Sequence, residues 1–165
     1  MQSVAFENLA FLIVDDCQFM RSIVRTVLAG FGARRISEAH DGADGLEQLT
    51  HHAPDIMILD WEMPILDGPE LVKIIRNPNN GPMAFVPIIL LTAHTELRRI
   101  REAQKLGVHE ILRKPMTPKS LYERVQACVL NPRPFMSSSD YFGPTPREQR
   151  SARRNIPVRT DATLI

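Results

Sequence analysis

The chain has 165 residues, of which 44% are hydrophobic and 24% charged, and its formal net charge is +1. These values are typical of a globular protein, and so small a net charge does not favour nucleic acid or a membrane surface as a partner. No apolar run approaches the ~20 residues of a membrane span, and the first residues lack a secretory signal pattern. We therefore expect a cytoplasmic protein whose two cysteines, Cys17 and Cys128, are reduced thiols.

Apolar runs alternate with stretches of helical periodicity along the first 130 residues. In chain order, the predicted strands lie at 11–14, 35–39, 55–59, 86–91 and 110–112. The helices predicted to follow them lie at 19–31, 43–49, 68–75, 95–106 and 117–129. A dense turn cluster, 77–82, separates the third helix from the fourth strand.

The predicted strands are apolar along most of their length instead of alternating with polar residues, which indicates burial on both faces of a parallel sheet. Five strand–helix units with right-handed crossovers give a doubly wound α/β domain with a five-stranded parallel sheet. In such sheets the functional crevice lies outside the carboxyl ends of the strands.

Polar residues stand where four of these strands end. Asp15 and Asp16 follow the first strand, Asp60 the third, Thr92 the fourth and Lys114 the fifth, so we expect all five at one edge of the sheet. Clustered carboxylates repel one another and favour a hard divalent cation such as Mg²⁺. An aspartate beside that cation can act as a nucleophile and form an acyl phosphate, with a lysine and a threonine contacting the transferred group.

The motifs VDD, ILDWEMPILDG, LLTA and RKP, in this order, resemble those of the receiver domain of bacterial two-component response regulators. The resemblance covers about residues 9–130 and implies the flavodoxin-like (βα)5 fold. It implies that Asp60 is the phosphoacceptor. The Mg²⁺ ligands it implies are Asp15, Asp16, Asp60 and the backbone carbonyl of Glu62. It also implies a switch role for Thr92, a phosphate contact for Lys114 and a cis bond between Lys114 and Pro115.

A receiver takes its phosphoryl group from a phosphohistidine on a sensor histidine kinase or a histidine phosphotransfer protein. The resemblance therefore implies a switch in which the fourth helix, fifth strand and fifth helix change their binding to a downstream protein target. It implies no enzymatic activity beyond self-catalysed phosphotransfer and dephosphorylation. One departure is Ile111, which stands where receivers commonly have an aromatic residue. Glu62 and His94 flank the phosphate position and should tune the lifetime of the phosphoryl group.

Several residues have simpler interpretations than a functional one. Trp61 is interpreted as a partly exposed loop residue and His109 as a surface residue, while Cys17 suits a small packing position. Asp67 is expected to begin a helix, and Thr117 to cap one.

The segment 131–165 differs in composition from the domain that precedes it. The first 130 residues contain 14 Lys and Arg against 16 Asp and Glu, whereas the segment contains 6 against 3, with five prolines. We expect a receiver domain over 1–130 and an extended or disordered tail over 131–165, too short for a DNA-binding output domain. Phe135, Tyr141 and Phe142 are candidates to anchor part of it.

An arginine cluster in the tail consists of Arg147, Arg150, Arg153, Arg154 and Arg159. Three hypotheses are open: the tail is a solvated terminus, it docks on an acidic surface, or it binds a nucleotide or nucleic acid. In composition it resembles the arginine-rich tails with which a subset of single-domain receivers binds the nucleotide second messenger cyclic di-GMP.

Two other classes of protein fit the crevice less well. An aspartate-nucleophile phosphatase of the haloacid-dehalogenase type requires a DxDx(T/V) motif after its first strand, whereas this chain has DDCQF there. A flavodoxin-like binder needs a phosphate-cradling loop rich in Ser, Thr and Gly there, and two aspartates would repel phosphate.

Overall fold

A five-stranded sheet forms the centre of the computed structural model, which describes residues 2–147. The strands are β1 Ala10–Val14, β2 Arg35–Ala39, β3 Ile56–Asp60, β4 Ile88–Thr92 and β5 Glu110–Arg113. The helices are α1 Gln18–Gly30, α2 Gly42–His52, α3 Gly68–Ile75, α4 Leu97–Leu106 and α5 Pro118–Leu130. Short 3₁₀ helices lie at Phe6–Asn8 and Pro78–Phe85, the second replacing the predicted turn cluster.

All strands of this sheet are parallel, in the order β2-β1-β3-β4-β5, which confirms the doubly wound fold predicted from the sequence. Successive residues of β1 point to opposite faces. Leu12 and Val14 join the core beneath α2, α3 and α4, whereas Phe11 and Ile13 join the core beneath α1 and α5. Every residue of β3 and β4 is buried, as expected for central strands covered on both faces.

Capping residues determine where two helices begin. Asp67 accepts a hydrogen bond from the Glu70 amide at 2.9 Å while Glu70 bonds back to the Asp67 amide, which makes a capping box with Pro69 in the first turn. Thr117 and Ser120 form the same reciprocal arrangement at the start of α5. Both helix starts were predicted from the sequence and are confirmed.

The tail prediction needs a correction for residues 131–147, which are neither loose nor detached from the domain. They form an antiparallel hairpin of β6 Phe135–Ser137 and β7 Phe142–Pro144. The rings of Phe135 and Phe142 lie 4.9 and 5.3 Å from the ring of Phe85, so aromatic packing holds the hairpin on the domain. Residues 148–165 lie outside the described part of the chain.

The hairpin covers a buried cation. The guanidinium of Arg76, at the end of α3, donates to the carbonyls of Gly107, Ala84 and Val86 at 2.7–2.9 Å and lies 5.2 Å from the ring centre of Phe135. Burial lowers the pKa of Arg76 to about 10. Three carbonyl acceptors and an aromatic face therefore take the place of water around it.

Three of the simpler interpretations were wrong, those of His109, Trp61 and Cys17. His109 is buried, because it packs beside Arg76 and under Phe135, and this burial lowers its pKa to about 3. Trp61 is also buried, in the core beneath α3. Cys17, by contrast, is exposed at the start of α1.

Candidate functional site

Three carboxylates from two separate strand ends meet at one edge of the sheet. One carboxylate oxygen each from Asp15, Asp16 and Asp60 lies within 4.8 Å of the others. Parallel register produces this convergence, since Val14 pairs with Leu59 and their next residues follow side by side. The expectation that residues 45 positions apart share one crevice is therefore met by the geometry.

Backbone hydrogen bonds continue past the strand ends and hold the site residues in place. The Asp15 amide donates to the Ala39 carbonyl at 3.2 Å, and the Lys114 amide donates to the Thr92 carbonyl at 2.9 Å. Asp60 is itself the last residue of β3, one position later than the predicted strand end. Backbone hydrogen bonds to neighbouring strands thus hold Asp15 and Lys114 in place directly after the strand ends.

Lys114 balances part of the negative charge. Its Nζ lies 2.7 Å from Asp60 Oδ1 and 3.9 Å from Asp15 Oδ2. Burial opposes the charged ammonium, but the hydrogen bond to Asp60 and the nearby carboxylates together raise the pKa of Lys114. One cation facing three carboxylates leaves the crevice with an excess of negative charge.

Burial makes that charge costly. Asp15 and Asp60 are only 1% and 5% exposed. Burial raises the pKa of Asp15 to about 6, with the Asp60 charge adding to the effect, and burial likewise raises the pKa of Asp60. Where burial disfavours the ionised form of the carboxylates, a bound cation would stabilise that form.

An orphaned oxygen supports the fit of a metal ion. Asp15 Oδ1 accepts from the Cys17 amide at 2.8 Å, whereas the buried Asp15 Oδ2 accepts no hydrogen bond from any of residues 2–147. Asp16 is exposed, so an ion here would keep contact with water. Oxygen ligands and open water positions are what Mg²⁺ prefers. The structure brings the Asp15, Asp16 and Asp60 carboxylates together, and the roles of these residues and of the Glu62 carbonyl as Mg²⁺ ligands stay predictions.

The loop after Asp60 folds back tightly on the strand end. The Gly68 amide donates to the Trp61 carbonyl at 2.9 Å, and a Cβ on Gly68 would lie 2.5 Å from the Asp60 carbonyl oxygen. Ile65, at the tip, has a left-handed backbone with φ of 70° and is fully exposed. A side chain at position 68 would push the loop away from Asp60.

A polar bridge spans the mouth of the crevice. His94 Nε2 contacts Glu62 Oε1, and Arg99 lies 3.9 Å from the same oxygen. The hydrogen bond from His94 lowers the pKa of Glu62, aided by the charges of His94 and Arg99. The His94 amide also donates to Thr92 Oγ1 at 2.9 Å. Sequence reasoning placed Glu62 and His94 beside the site but missed their pairing.

The peptide bond between Lys114 and Pro115 is cis, as the resemblance implies. Of the five arginines of the predicted tail cluster, Arg147 alone lies within the described residues, and it contacts the buried carboxylate of Glu110 at the start of β5. It therefore lies at the far end of β5 from Lys114, outside the carboxylate crevice. Arg150, Arg153, Arg154 and Arg159 lie beyond the described residues.

The fold, the carboxylate cluster and the lysine define a receiver, and comparison with known proteins agrees. A family model for the response regulator receiver domain matches residues 11–126. The chain belongs to this family, whose members act in two-component signalling.

Relatives of known name lie among chemotaxis regulators. The chain is 34% identical over 125 residues to the chemotaxis protein CheY-3 of Vibrio cholerae, covering 76% of this chain and 95% of that one. It is 34% identical over 119 residues to CheY1 of Helicobacter pylori, covering 72% and 94%.

Solved structures give the same picture. The chemotaxis response regulator CheY4 of Vibrio cholerae matches with a TM-score of 0.67 and 30% identity, covering 74% of this chain and all of that one. The receiver domain of Francisella response regulator 1452 matches with a TM-score of 0.66 and 30% identity, covering 72% and 94%. Within residues 2–147, no helix has the length and apolarity needed to cross a membrane.

Proposed function

We propose that this protein is a phosphorylation-switched module in which Asp60 accepts a phosphoryl group from a phosphohistidine of a partner protein. The observation that carries the proposal is the cluster of Asp15, Asp16 and Asp60 with Lys114 hydrogen-bonded to the central carboxylate. The partner is a sensor histidine kinase or a histidine phosphotransfer protein, and the protein works in the cytoplasm.

In the transfer, an Asp60 carboxylate oxygen forms a bond to phosphorus as the phosphorus–nitrogen bond of the phosphohistidine breaks. The imidazole nitrogen keeps the electron pair of that bond. Mg²⁺ held by Asp15 and Asp16 would neutralise charge on the phosphoryl oxygens. Lys114 is already within hydrogen-bond distance of Asp60. Its ammonium is therefore placed to donate a hydrogen bond to an oxygen of a phosphoryl group on Asp60.

Thr92 supports a route from the crevice to the surface. It is buried at the end of β4 and bonded to the His94 amide, at the entry to α4. A phosphoryl group on Asp60 would attract the hydroxyl and change the packing of α4, β5 and α5, which alters binding of a downstream protein. Moving from mostly inactive to mostly active needs about 5 kcal/mol of differential stabilisation. Because Ile111 has no hydroxyl, it would take part through packing alone.

We further propose that the protein has no turnover of its own beyond self-catalysed phosphotransfer and dephosphorylation. The exposure of Asp16 at the crevice mouth supports slow attack by water on the acyl phosphate. Binding of a nucleotide such as cyclic di-GMP by the arginine-rich tail stays a prediction, since four of the five arginines of the cluster lie outside the described residues.

Incubation with acetyl phosphate tests the phosphoacceptor directly. Intact-mass measurement should show one added phosphoryl group with Mg²⁺, and none after chelation with EDTA. Asp60→Asn should abolish the addition, because an amide oxygen is a poor nucleophile. Asp140→Asn, on the exposed hairpin turn, serves as the matched control and should be labelled normally. Phosphoryl addition to the Asp60→Asn protein would refute the assignment.

A further inference from the structure

A cavity of about 920 Å³ lies between α4, β5, α5 and the hairpin segment. Thr92 and His94 line it near the carboxyl edge of the sheet, and Tyr141 and Pro144 line it near the hairpin. Since Thr92 pairs with Arg113 and Glu110 begins β5, the cavity runs along the whole of this edge strand. The hairpin supplies one wall of the cavity. Because the hairpin was not predicted from the sequence, the motifs at the strand ends do not predict this cavity.

The lining is strongly cationic. Its six basic side chains belong to Arg101, Lys105, Arg113, Arg124, Arg133 and Arg147. Glu110 is the one carboxylate among the lining residues, and its buried oxygens already contact Arg147 and, at 3.3 Å, Arg124. Within residues 2–147, no carboxylate lies within 4.0 Å of Arg101, Lys105 or Arg113, so these cations are available to a ligand.

Size and chemistry narrow the class of ligand. Cavities of roughly 300–1,000 Å³ are the range for small molecules, whereas protein partners use flatter surfaces. Arginine forks match phosphate oxygens in a bidentate fashion. The ring of Tyr141 and the side chains of Val108 and Pro144 add apolar walls suited to a flat ring. We propose that this cavity binds a small organic anion of nucleotide size that carries phosphate groups.

The remaining chain is a poor occupant of the same cavity. The residues after Arg147 include four more arginines against two acidic residues, Glu148 and Asp161. Like charges would repel the tail from a cationic lining, whereas an anionic ligand would be attracted by both.

The position of the cavity couples it to phosphorylation, a step that rests on the proposed function. Thr92 and His94 line the cavity and also adjoin the crevice that holds Asp60. If Thr92 and His94 have one arrangement in the phosphorylated protein and another in the unphosphorylated protein, a ligand that contacts them in one arrangement favours that state. By linkage, phosphorylation then changes the affinity for the ligand by the same factor by which the ligand changes the equilibrium of phosphorylation. We expect about a fivefold or larger difference in affinity between phosphorylated and unphosphorylated protein.

Calorimetry with the full chain tests the proposal, using cyclic di-GMP, ATP and inorganic pyrophosphate as separate probes. We expect saturable one-to-one binding of at least one nucleotide. Arg101→Ala with Arg113→Ala should weaken it about tenfold or more, because two charge-assisted contacts are lost. The matched control is Arg98→Ala with Lys119→Ala, which removes two exposed cations outside the cavity and should change affinity less than twofold.

Three outcomes would overturn the proposal. One is no saturable binding of either nucleotide, whether or not pyrophosphate binds. Another is an equal loss in the cavity variant and its control. The third is a loss confined to the variant with Arg150, Arg153, Arg154 and Arg159 changed to Ala, which would assign binding to the tail alone. Labelling each variant with acetyl phosphate separates this proposal from the proposed function. A protein that is labelled normally but binds no nucleotide would refute the cavity proposal and leave the proposed function standing.

Discussion

The two ends of β5 lie in opposite electrostatic surroundings. At its carboxyl end, Lys114 faces three carboxylates that exceed it in charge. At its amino end, the buried Glu110 faces Arg124 and Arg147, and Arg76 and Arg133 lie close by. The carboxylates at the first end exceed the cation that faces them, whereas the hairpin covers the second end and supplies Arg147 to its carboxylate.

The comparison shows two ways to make a buried charge tolerable. The crevice leaves its carboxylates partly unmatched, which suits the proposed binding of Mg²⁺ and a phosphoryl group. The hairpin end satisfies its cations with carbonyls, an aromatic ring and a carboxylate, which suits a structural contact. We therefore expect changes at the hairpin end to alter stability, and changes at the crevice to alter chemistry.

Arg76→Met should give the largest effect on stability. The substitution keeps an unbranched stem but removes the guanidinium and leaves three buried carbonyls without their donor, so we expect a loss of about 3 kcal/mol or more in the free energy of unfolding. Urea denaturation measures it. Arg98→Ala, on an exposed face, should change stability by less than about 0.5 kcal/mol.

Acetyl phosphate labelling of the same variant sharpens the comparison. Folded Arg76→Met protein should still be labelled at close to the normal rate, because Arg76 does not line the crevice. A lower labelling rate in Arg76→Met protein that is still folded would show that the two ends are not independent.

His109 should give the next largest effect, and it depends on pH. Burial holds the folded-state pKa at about 3, so as pH falls below about 6.5 the unfolded chain binds a proton that the folded chain does not. Stability should decline on acidification by up to about 1.4 kcal/mol per pH unit from this residue, reaching about 2 kcal/mol near pH 5. His109→Gln should remove this part of the slope.

Urea denaturation of both proteins at pH 7, 6 and 5 measures the difference between the slopes. His51→Gln, at an exposed histidine at the end of α2, is the matched control for the substitution itself. Equal slopes for the His109→Gln and unsubstituted proteins would show that His109 is protonated in the fold.

Loss of the bridge between Glu62 and His94 should give the smallest effect. We expect it to change the chemistry of the crevice and not the stability of the fold. Removing the bridge with Glu62→Ala opens the mouth of the site, so we expect the acyl phosphate to hydrolyse several-fold faster with stability nearly unchanged, as surface ion pairs contribute little. Phosphoryl loss followed by intact mass measures the lifetime.

Glu96→Ala, which removes another acidic partner of Arg99 on the same surface, is the matched control and should leave the lifetime unchanged. A lifetime that is unaltered or longer in Glu62→Ala would mean that the bridge does not shield the phosphate from water.

Much of the fold and the crevice could be predicted because both depend on local patterns. Apolar runs set the strands to within two residues, and Asp67 and Thr117 marked helix starts through their capping chemistry. Parallel register then made the placement of Asp15, Asp60 and Lys114 a consequence of strand order.

The hairpin could not be predicted in the same way. Its strands have three residues each and lie in a segment rich in proline, so no periodic signal marks them. Its position depends on the close approach of Gly143 to Gly107, where an added Cβ would lie 2.9 Å from the facing Cα, and on the ring of Phe85 far away in the chain. A glycine or a phenylalanine in the sequence does not indicate which distant residue it will contact, so these contacts could not be predicted.

The amino-acid order by itself determined the element sequence, the parallel sheet and the residues that meet at its carboxyl edge, because strand periodicity and strand ends are local properties. Tertiary structure alone decided that His109 and Arg76 are buried, that Arg147 meets Glu110, and that a cationic cavity lies beside β5. Burial and charge pairing are properties of the space between elements, and that space exists only after the chain has packed.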